Sequence, residues 1–257
     1  MRTIEKIFYK DSDDPQEILR LYKGSYATVY DETKQEIIKS VIKGLYPPLE
    51  WKNIEVLDIG CGGGIFTRFL LDLGAKVTAQ DLSPAILKAC KIENPEADLV
   101  CGDATEINLK KKFDLIFVKD VIEHIKPDDV FLKNMNRHLQ KDGHLIINTQ
   151  NSHSFNYLLE KTYSLLRGNT KWMGWAPDHV RFYNASLFKK KLLAAGFIPV
   201  RWFGSYYFPY RALVYFFGKC FELKIFRAIE LLDLWGIFPF NITGWNIGVL
   251  AKKIYDI

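Results

Sequence analysis

The chain has 257 residues, room for one large domain or two small ones, and 48% of them are hydrophobic and 25% charged, the balance of a globular protein rather than a disordered one. Its net charge of +5 permits contact with an anionic surface, but no dense basic cluster of the kind nucleic-acid binders carry is present, so no nucleic-acid partner is expected. Cys61, Cys90, Cys101 and Cys220 lie far apart with no CxxC pair, which speaks against a disulfide framework or structural zinc and for a cytoplasmic location.

The start, "MRTIEKIFYKDSDD", has no apolar core, so no secretion signal is expected. No apolar run approaches the roughly 18 residues of a spanning helix. Residues 1–50 read as a polar helical cap. Within it, Val29, Ile37, Ile38, Val41 and Ile42 share one helix face, and "YPPLEW" ends the pattern. From residue 54 the texture changes. "IEVLDI" is a buried strand, and "IFTRFLLDL" is an amphipathic helix closed by Gly74. "AKVTAQD" is a second strand. "SPAILKACKI" is a helix with Ser83 as N-cap and Pro84 in its first turn. "ADLVCGD" and "FDLIFVKD" are the third and fourth strands. "KPDDVFLKNMNRHLQ" is helical, and "GHLIINTQN" is the fifth strand. Strands alternating with helices at this pitch predict an α/β fold, a parallel sheet with helices on both faces. Further on, "NSHSFNYLLEKTYSLLRG" reads as a helix and "NTKWMGWAPDHVRFY" as a loop. "NASLFKKKLLAAGF" is a helix capped by Asn184 and stopped at Gly196. "IPVRWFGSYY" and "WNIGVLAKK" are the last strands. No repeat or linker divides the chain, which favours one domain over 1–257. Its cofactor-binding core is 54–150, with substrate-side insertions at 151–183 and 205–242.

The first strand ends in "LDIGCGGG". Glycines at 60, 62, 63 and 64, with Cys61 among them, let the backbone approach a ligand closely where the strand ends and a helix begins. A ligand is expected to take the place of the missing side chains. A dinucleotide fingerprint needs glycine at 60, 62 and 65, and position 65 is isoleucine. Asp58, two residues before the first glycine, suits a ligand end that carries an ammonium. Asp81 ends the second strand about 20 residues past Gly60, where an acid accepts from ribose hydroxyls. Asp103 ends the third strand and suits an adenine amino group. Lys119 and Asp120 end the fourth, beside the same crevice. Any one of these carboxylates serves equally as a helix cap; four in succession point to a ligand.

"VLDIGCGGG", "VTAQDLSPAIL", "CGDATEI", "FDLIFVKDVIEHI" and "LQKDGHLIINTQN" resemble, in order and spacing, the motifs of the class I S-adenosylmethionine-dependent methyltransferases. "DHVRFYNASLFKKKLLAAGF" is similar to the downstream segment of the ubiquinone-pathway O-methyltransferases. The resemblance implies a Rossmann-like seven-stranded sheet, mostly parallel with its last strand antiparallel. It adds a helical N-terminal extension and an aromatic-rich helical insertion before that last strand. It implies S-adenosylmethionine as methyl donor, with contacts at Asp58, Gly60, Gly62, Asp81, Leu82, Asp103 and Ala104. It also implies an aromatic residue of the N-terminal helices over the donor, for which Tyr22, Tyr26 and Tyr30 are candidates.

A hydroxyl acceptor must lose a proton, and a base accelerates that by about 10²–10⁴-fold. Histidine is the natural choice. His124 in "DVIEHI" and His179 in "PDHVRFY" are expected over the methyl group, with Asp120 beside them. His138 and His144 read as structural or solvated, and His153 lies just past the fifth strand. Asp120, Glu123 and His124, at i, i+3 and i+4, share a face if helical and could hold a divalent metal. The similar ExxEH pattern of the relatives implies Mg²⁺, but Asp120 is one methylene shorter, and metal is not expected. "SYYFPYRALVYFFG" and "KCFELKIFRAIELLDLWGIFPF" are dense in aromatics. They fit a cover for the sheet or for a partner subunit, a hydrophobic acceptor pocket, or a surface resting on a membrane interface. The expected activity is O-methylation of an apolar or aromatic small molecule, such as a quinone precursor, isoprenoid or lipid-linked acceptor. The alternatives are a metal-assisted RNA 2′-O-methyltransferase, a non-catalytic protein that only binds the cofactor, and a nicotinamide-dependent oxidoreductase.

Overall fold

The structure, a computed structural model, describes residues 14–25, 29–170, 172, 178–207 and 240–257. Its strands are β1 (Glu55–Ile59), β2 (Lys76–Asp81), β3 (Asp98–Cys101), β4 (Phe113–Lys119), β5 (Leu139–Gln150), β6 (Phe197–Ser205) and β7 (Asn246–Lys253). They form one sheet in the order β3-β2-β1-β4-β5-β7-β6. β1 to β5 pair in parallel, and β7 runs antiparallel to both β5 and β6. The mostly parallel seven-stranded sheet with a reversed last strand is therefore as expected.

Helices α1 (Pro15–Ser25), α2 (Val29–Lys43), α3 (Ile65–Asp72), α4 (Pro84–Glu93), α5 (Asp128–His138), α6 (Phe155–Leu166), α7 (Ala185–Ala194) and α8 (Phe240–Thr243) surround it. Side chains alternate across a strand, and two apolar layers follow. Leu57, Ile59, Ile116 and Val118 face α5 and α7 through Phe131, Leu132, Phe188 and Leu192. Val56, Leu115 and Phe117 face α2 and α3 through Ile38, Val41, Ile42, Phe66 and Leu70. The caps read from sequence are in place: Ser83 accepts from the Ile86 N–H and Asn184 from the Leu187 N–H. Ser154 caps α6 in the same way, accepting from the Tyr157 N–H.

The fifth strand begins earlier than its sequence indicates. Leu139 already pairs with Phe113, and the register then jumps to His144 opposite Leu115. Asp142, at φ +61°, absorbs the irregularity that "KDG" signals as a turn. The aromatic stretch between Tyr207 and Phe240 lies outside the described residues, as do Tyr26 and the side chain of Tyr30. Among the described residues no helix is long and apolar enough to cross a membrane.

Candidate active site

The chain runs from β1 outward to β2 and β3, then returns to β4 on the other side of β1. Open α/β sheets take ligands in the crevice where the strand order reverses in this way. A cavity of about 610 Å³ opens there, lined by the glycine turn, the ends of β2 and β4, and part of α1. Gly60 and Gly62 stand at φ +65° and +54°, a region that side chains disfavour. The space around them is also taken. A Cβ on Gly62 would come within 2.8 Å of the Tyr22 ring, and one on Gly60 within 2.3 Å of Val121 Cγ2. The protein's own groups, and not only a ligand, thus require the bare turn. Tyr22 sits on α1, which docks on α4 through Ile18, Leu19, Ile86 and Ala89.

Asp58 shares a face of β1 with Val56, so it points into an apolar layer and is 2% exposed. Its Oδ2 accepts from Thr67 Oγ1 at 2.6 Å. Burial pushes its carboxyl up to about 7, against the pull of the Thr67 bond. Asp81 lines the cavity with both oxygens engaged, Oδ2 by the Gly62 N–H at 3.1 Å and Oδ1 by the Ser83 N–H at 3.0 Å. Burial also raises its pKa, opposed by those bonds. Gln80 ties the crevice together. Its Oε1 accepts from the Gly60 N–H at 3.3 Å and its Nε2 donates to the Gly102 carbonyl. The sequence signal for it is one polar residue inside the apolar run "VTAQD".

Asp103, exposed at the end of β3, accepts from the N–H and Oγ1 of Thr105, both at 2.7 Å. Asn134 donates to the carbonyls of Ala104 and Ile107 at 3.0 Å and so fixes that turn. Cys61, Leu82, Asp103 and Ala104 all line the cavity. The Cys61 thiol is pushed up by its hydrogen bond with Cys90 and by burial, so it stays protonated.

Asp120 has a left-handed backbone, φ +54°, the kind of strain that clusters at functional sites. Lys34 Nζ reaches both of its oxygens at 2.8 Å, and Lys119 Nζ reaches Oδ2 at 2.6 Å. Burial works against the charge, but the two ammoniums hold the Asp120 carboxyl well below the usual range. The Lys34 bond joins α2 to the end of β4, a pairing that no local pattern announces.

The 3-10 turn Ile122–His124 follows. Glu123 is 1% exposed; its Oε2 accepts from Thr149 Oγ1 at 2.8 Å, and its Oε1 is buried without a hydrogen bond. Burial, then the Asp120 charge, push its carboxyl up to about 7. His124 lines the cavity, and its buried Nδ1 is in contact with the carboxylate of Asp178, which also lines it. The His179 ring packs on His124 with centroids 4.9 Å apart, but His179 is buried behind it and is not part of the lining. His138 is buried and structural, accepting from the Leu109 N–H at 2.9 Å.

Glu123, His124 and His179 each offer one ligand atom, all within 4.8 Å of one another. The metal set implied by sequence instead needs Asp120, whose oxygens are held by two ammoniums, while His124 Nδ1 faces Asp178. These residues do not fit that metal set.

Residues 57–147 match a family described as a methyltransferase domain. The chain is similar to a ubiquinone biosynthesis O-methyltransferase of Pelagibacter ubique, with 35% identity over 46% of this chain and 50% of that protein. It thus spans half the length of that relative. Among solved structures it is similar to a putative methyltransferase from Bacillus halodurans, with TM-score 0.59, 19% identity, and 86% of this chain and 100% of that one covered. It is also similar to a magnesium protoporphyrin IX methyltransferase from Synechocystis with bound SAH, with TM-score 0.58, 13% identity, and 98% and 93% covered. The central segment is thus similar to a methyltransferase domain, and the fold is that of solved methyltransferases.

Proposed function

We propose that this chain, as a single domain, transfers a methyl group from S-adenosylmethionine to a hydroxyl of an apolar or aromatic small molecule. The observation that carries the reading is the cavity at the β1/β4 crevice, lined by a bare turn and by carboxylates at the ends of four strands, in a segment similar to a methyltransferase domain. The residues there fit a sulfonium nucleoside. Gly60 to Gly63 offer close backbone approach, Asp58 a partner for the ammonium, Asp81 one for the ribose, and Asp103 with Leu82 and Ala104 the surroundings of the base. Lys119 and Tyr22 close the remaining sides.

The donor supplies a methyl already activated by its positive sulfur. The protein has to align the partners, which is worth up to about 7–11 kcal/mol, and to remove the acceptor's proton. His124 is the group placed to take that proton; Asp120, held by its lysines, is not. Names of relatives such as that from Pelagibacter ubique favour a quinone-precursor acceptor. Isothermal titration with S-adenosylhomocysteine, followed by transfer of labelled methyl to an alkylcatechol probe, tests this. A folded chain that gives no heat with S-adenosylhomocysteine refutes it.

An apolar acceptor has to be delivered, and α6 fits a membrane interface. Its inner side carries Asn156 and Tyr157, while Phe155, Leu158, Leu159, Tyr163, Leu165 and Leu166 are exposed. Lys161 and Arg167 flank them, each over a tyrosine ring. Such a reversed helix is what an interfacial contact needs. Wild type is expected to co-sediment with phosphatidylglycerol vesicles and the Leu158→Ser, Leu166→Ser double variant to stay in the supernatant. Equal sedimentation of the two excludes this contact.

A further inference from the structure

We propose that Asp178 is the positioning residue for His124. It holds the imidazole proton on Nδ1, so that Nε2 is left bare to take the acceptor's proton. The inference rests on the methyl-transfer reading above and assigns that reaction's base a partner. Three observations carry it.

The Asp178 carboxylate is in contact with His124 Nδ1, a buried nitrogen that finds no aligned hydrogen-bond partner as the side chains stand, and both side chains line the cavity. A carboxylate on one ring nitrogen fixes which tautomer is present and which way the ring points. The loop bearing Asp178 is independently anchored. The Val180 N–H donates to the Glu123 carbonyl at 2.9 Å, which ties the loop to the residue beside His124. One step further, Arg181 and Tyr183 both reach the buried Asp128, whose other oxygen takes Lys191 at 2.6 Å. The third observation is the ring behind. His179 packs on His124, and Phe182 meets His179 edge-on at 5.7 Å. This stack limits rotation of His124 away from the cavity.

The step balances as follows. The acceptor O–H bond breaks and its proton goes to Nε2 of His124. The oxygen forms a bond to the methyl carbon, and the carbon–sulfur bond breaks with its electron pair returning to sulfur. The positive charge leaves the sulfonium and arrives on the imidazole. Asp178 faces that imidazole, so the charge develops next to a carboxylate already in position.

The test uses the full chain with S-adenosylhomocysteine bound and ¹⁵N-labelled histidine, the His124 signals being assigned with His124→Gln. In wild type Nδ1 is expected to show the protonated shift and Nε2 the unprotonated one. In Asp178→Asn the two are expected to move toward each other as the tautomers mix. With an alkylcatechol as probe acceptor, Asp178→Asn is expected to lose about 10²-fold in kcat with KM little changed. Asp178→Glu should recover most of it, and adding Asp178→Asn to His124→Gln should cost nothing more. An Asp178→Asn chain with wild-type shifts and wild-type kcat overturns the proposal. If wild type methylates no probe, that result counts against the methyl-transfer reading, and the nitrogen shifts alone decide for or against the pair.

Discussion

If the proposed donor's ammonium sits beside Asp58, affinity for the donor is expected to depend on pH. Burial lifts the Asp58 carboxyl from 3.8 to about 7. Without ligand it is therefore half protonated near neutral pH. If the donor's ammonium binds beside it, the ionised form is selected and the apparent affinity follows the fraction ionised. Below pH 7 the affinity of S-adenosylhomocysteine should fall tenfold per pH unit, or about 1.4 kcal/mol each. Between pH 7.5 and 5.5 that amounts to more than tenfold. Binding at pH 7 should release about half a proton. The same shift acts on folding with a definite sign. A raised carboxyl pKa means that the folded chain holds the proton more tightly than the unfolded one. Stability is then lost as pH rises from about 4 to about 7, by up to about 4 kcal/mol in all. Isothermal titration in buffers of different ionisation enthalpy measures both affinity and proton count. Glu123 titrates in the same range, so Asp58→Asn is the control and should abolish the slope. A flat wild-type affinity, or an unchanged slope in Asp58→Asn, refutes the reasoning.

Gly62→Ala puts a side chain at φ +54° and against Tyr22. The backbone alone costs about 1–2 kcal/mol, so thermal unfolding should shift down by about 2–4 °C for each of those, and S-adenosylhomocysteine affinity should drop. Asp128→Asn leaves Arg181 and Lys191 facing an uncharged group that is 1% exposed. Arg181 and Lys191 are partly exposed and water can take up their charges, so urea unfolding should show a loss of about 1.5–3 kcal/mol. Methyl transfer should fall more than cofactor affinity, because Asp128 anchors the Asp178 loop and is not part of the cavity lining. Excess EDTA should leave probe methylation unchanged; a loss that Mg²⁺ restores would overturn the reading in which lysines hold Asp120.

The scaffold was readable because each of its signals is local. Ser83 and Asn184 announce their helices within one turn. The apolar runs of β1, β2 and β4 show because both faces of a parallel sheet are buried. The lining of the cavity was readable where it depends on strand ends and the turns after them, at Asp58, Gly60, Asp81, Asp103, Lys119 and His124 among others. What was missed joins distant stretches. Lys34 reaches Asp120 across 86 positions, and Asp178 meets His124 through a loop anchored at Asp128. Neither partner carries a spacing that could reveal the other. Asp120 shows the consequence. Read in its own segment it is a candidate ligand or base, and only the folded chain brings two ammoniums onto it.

The arrangement of charge around the cavity has its own logic. Asp58 is held near neutrality by an apolar layer, and Asp120 is already compensated. In the proposed site a cationic donor meets a carboxylate that is about half ionised at pH 7 and ionises further as the ammonium arrives. That ties its attraction to the presence of its ammonium and leaves Asp120 indifferent to it. At the acceptor end the proposed pairing is His124 with Asp178. The bare turn fits the same logic. Tyr22 and Val121 fill the space that side chains on Gly62 and Gly60 would need, so the turn is shaped before any ligand arrives. Preorganisation of this kind places orientation and charge compensation ahead of the reaction, where they cost no reorganisation when the methyl transfers.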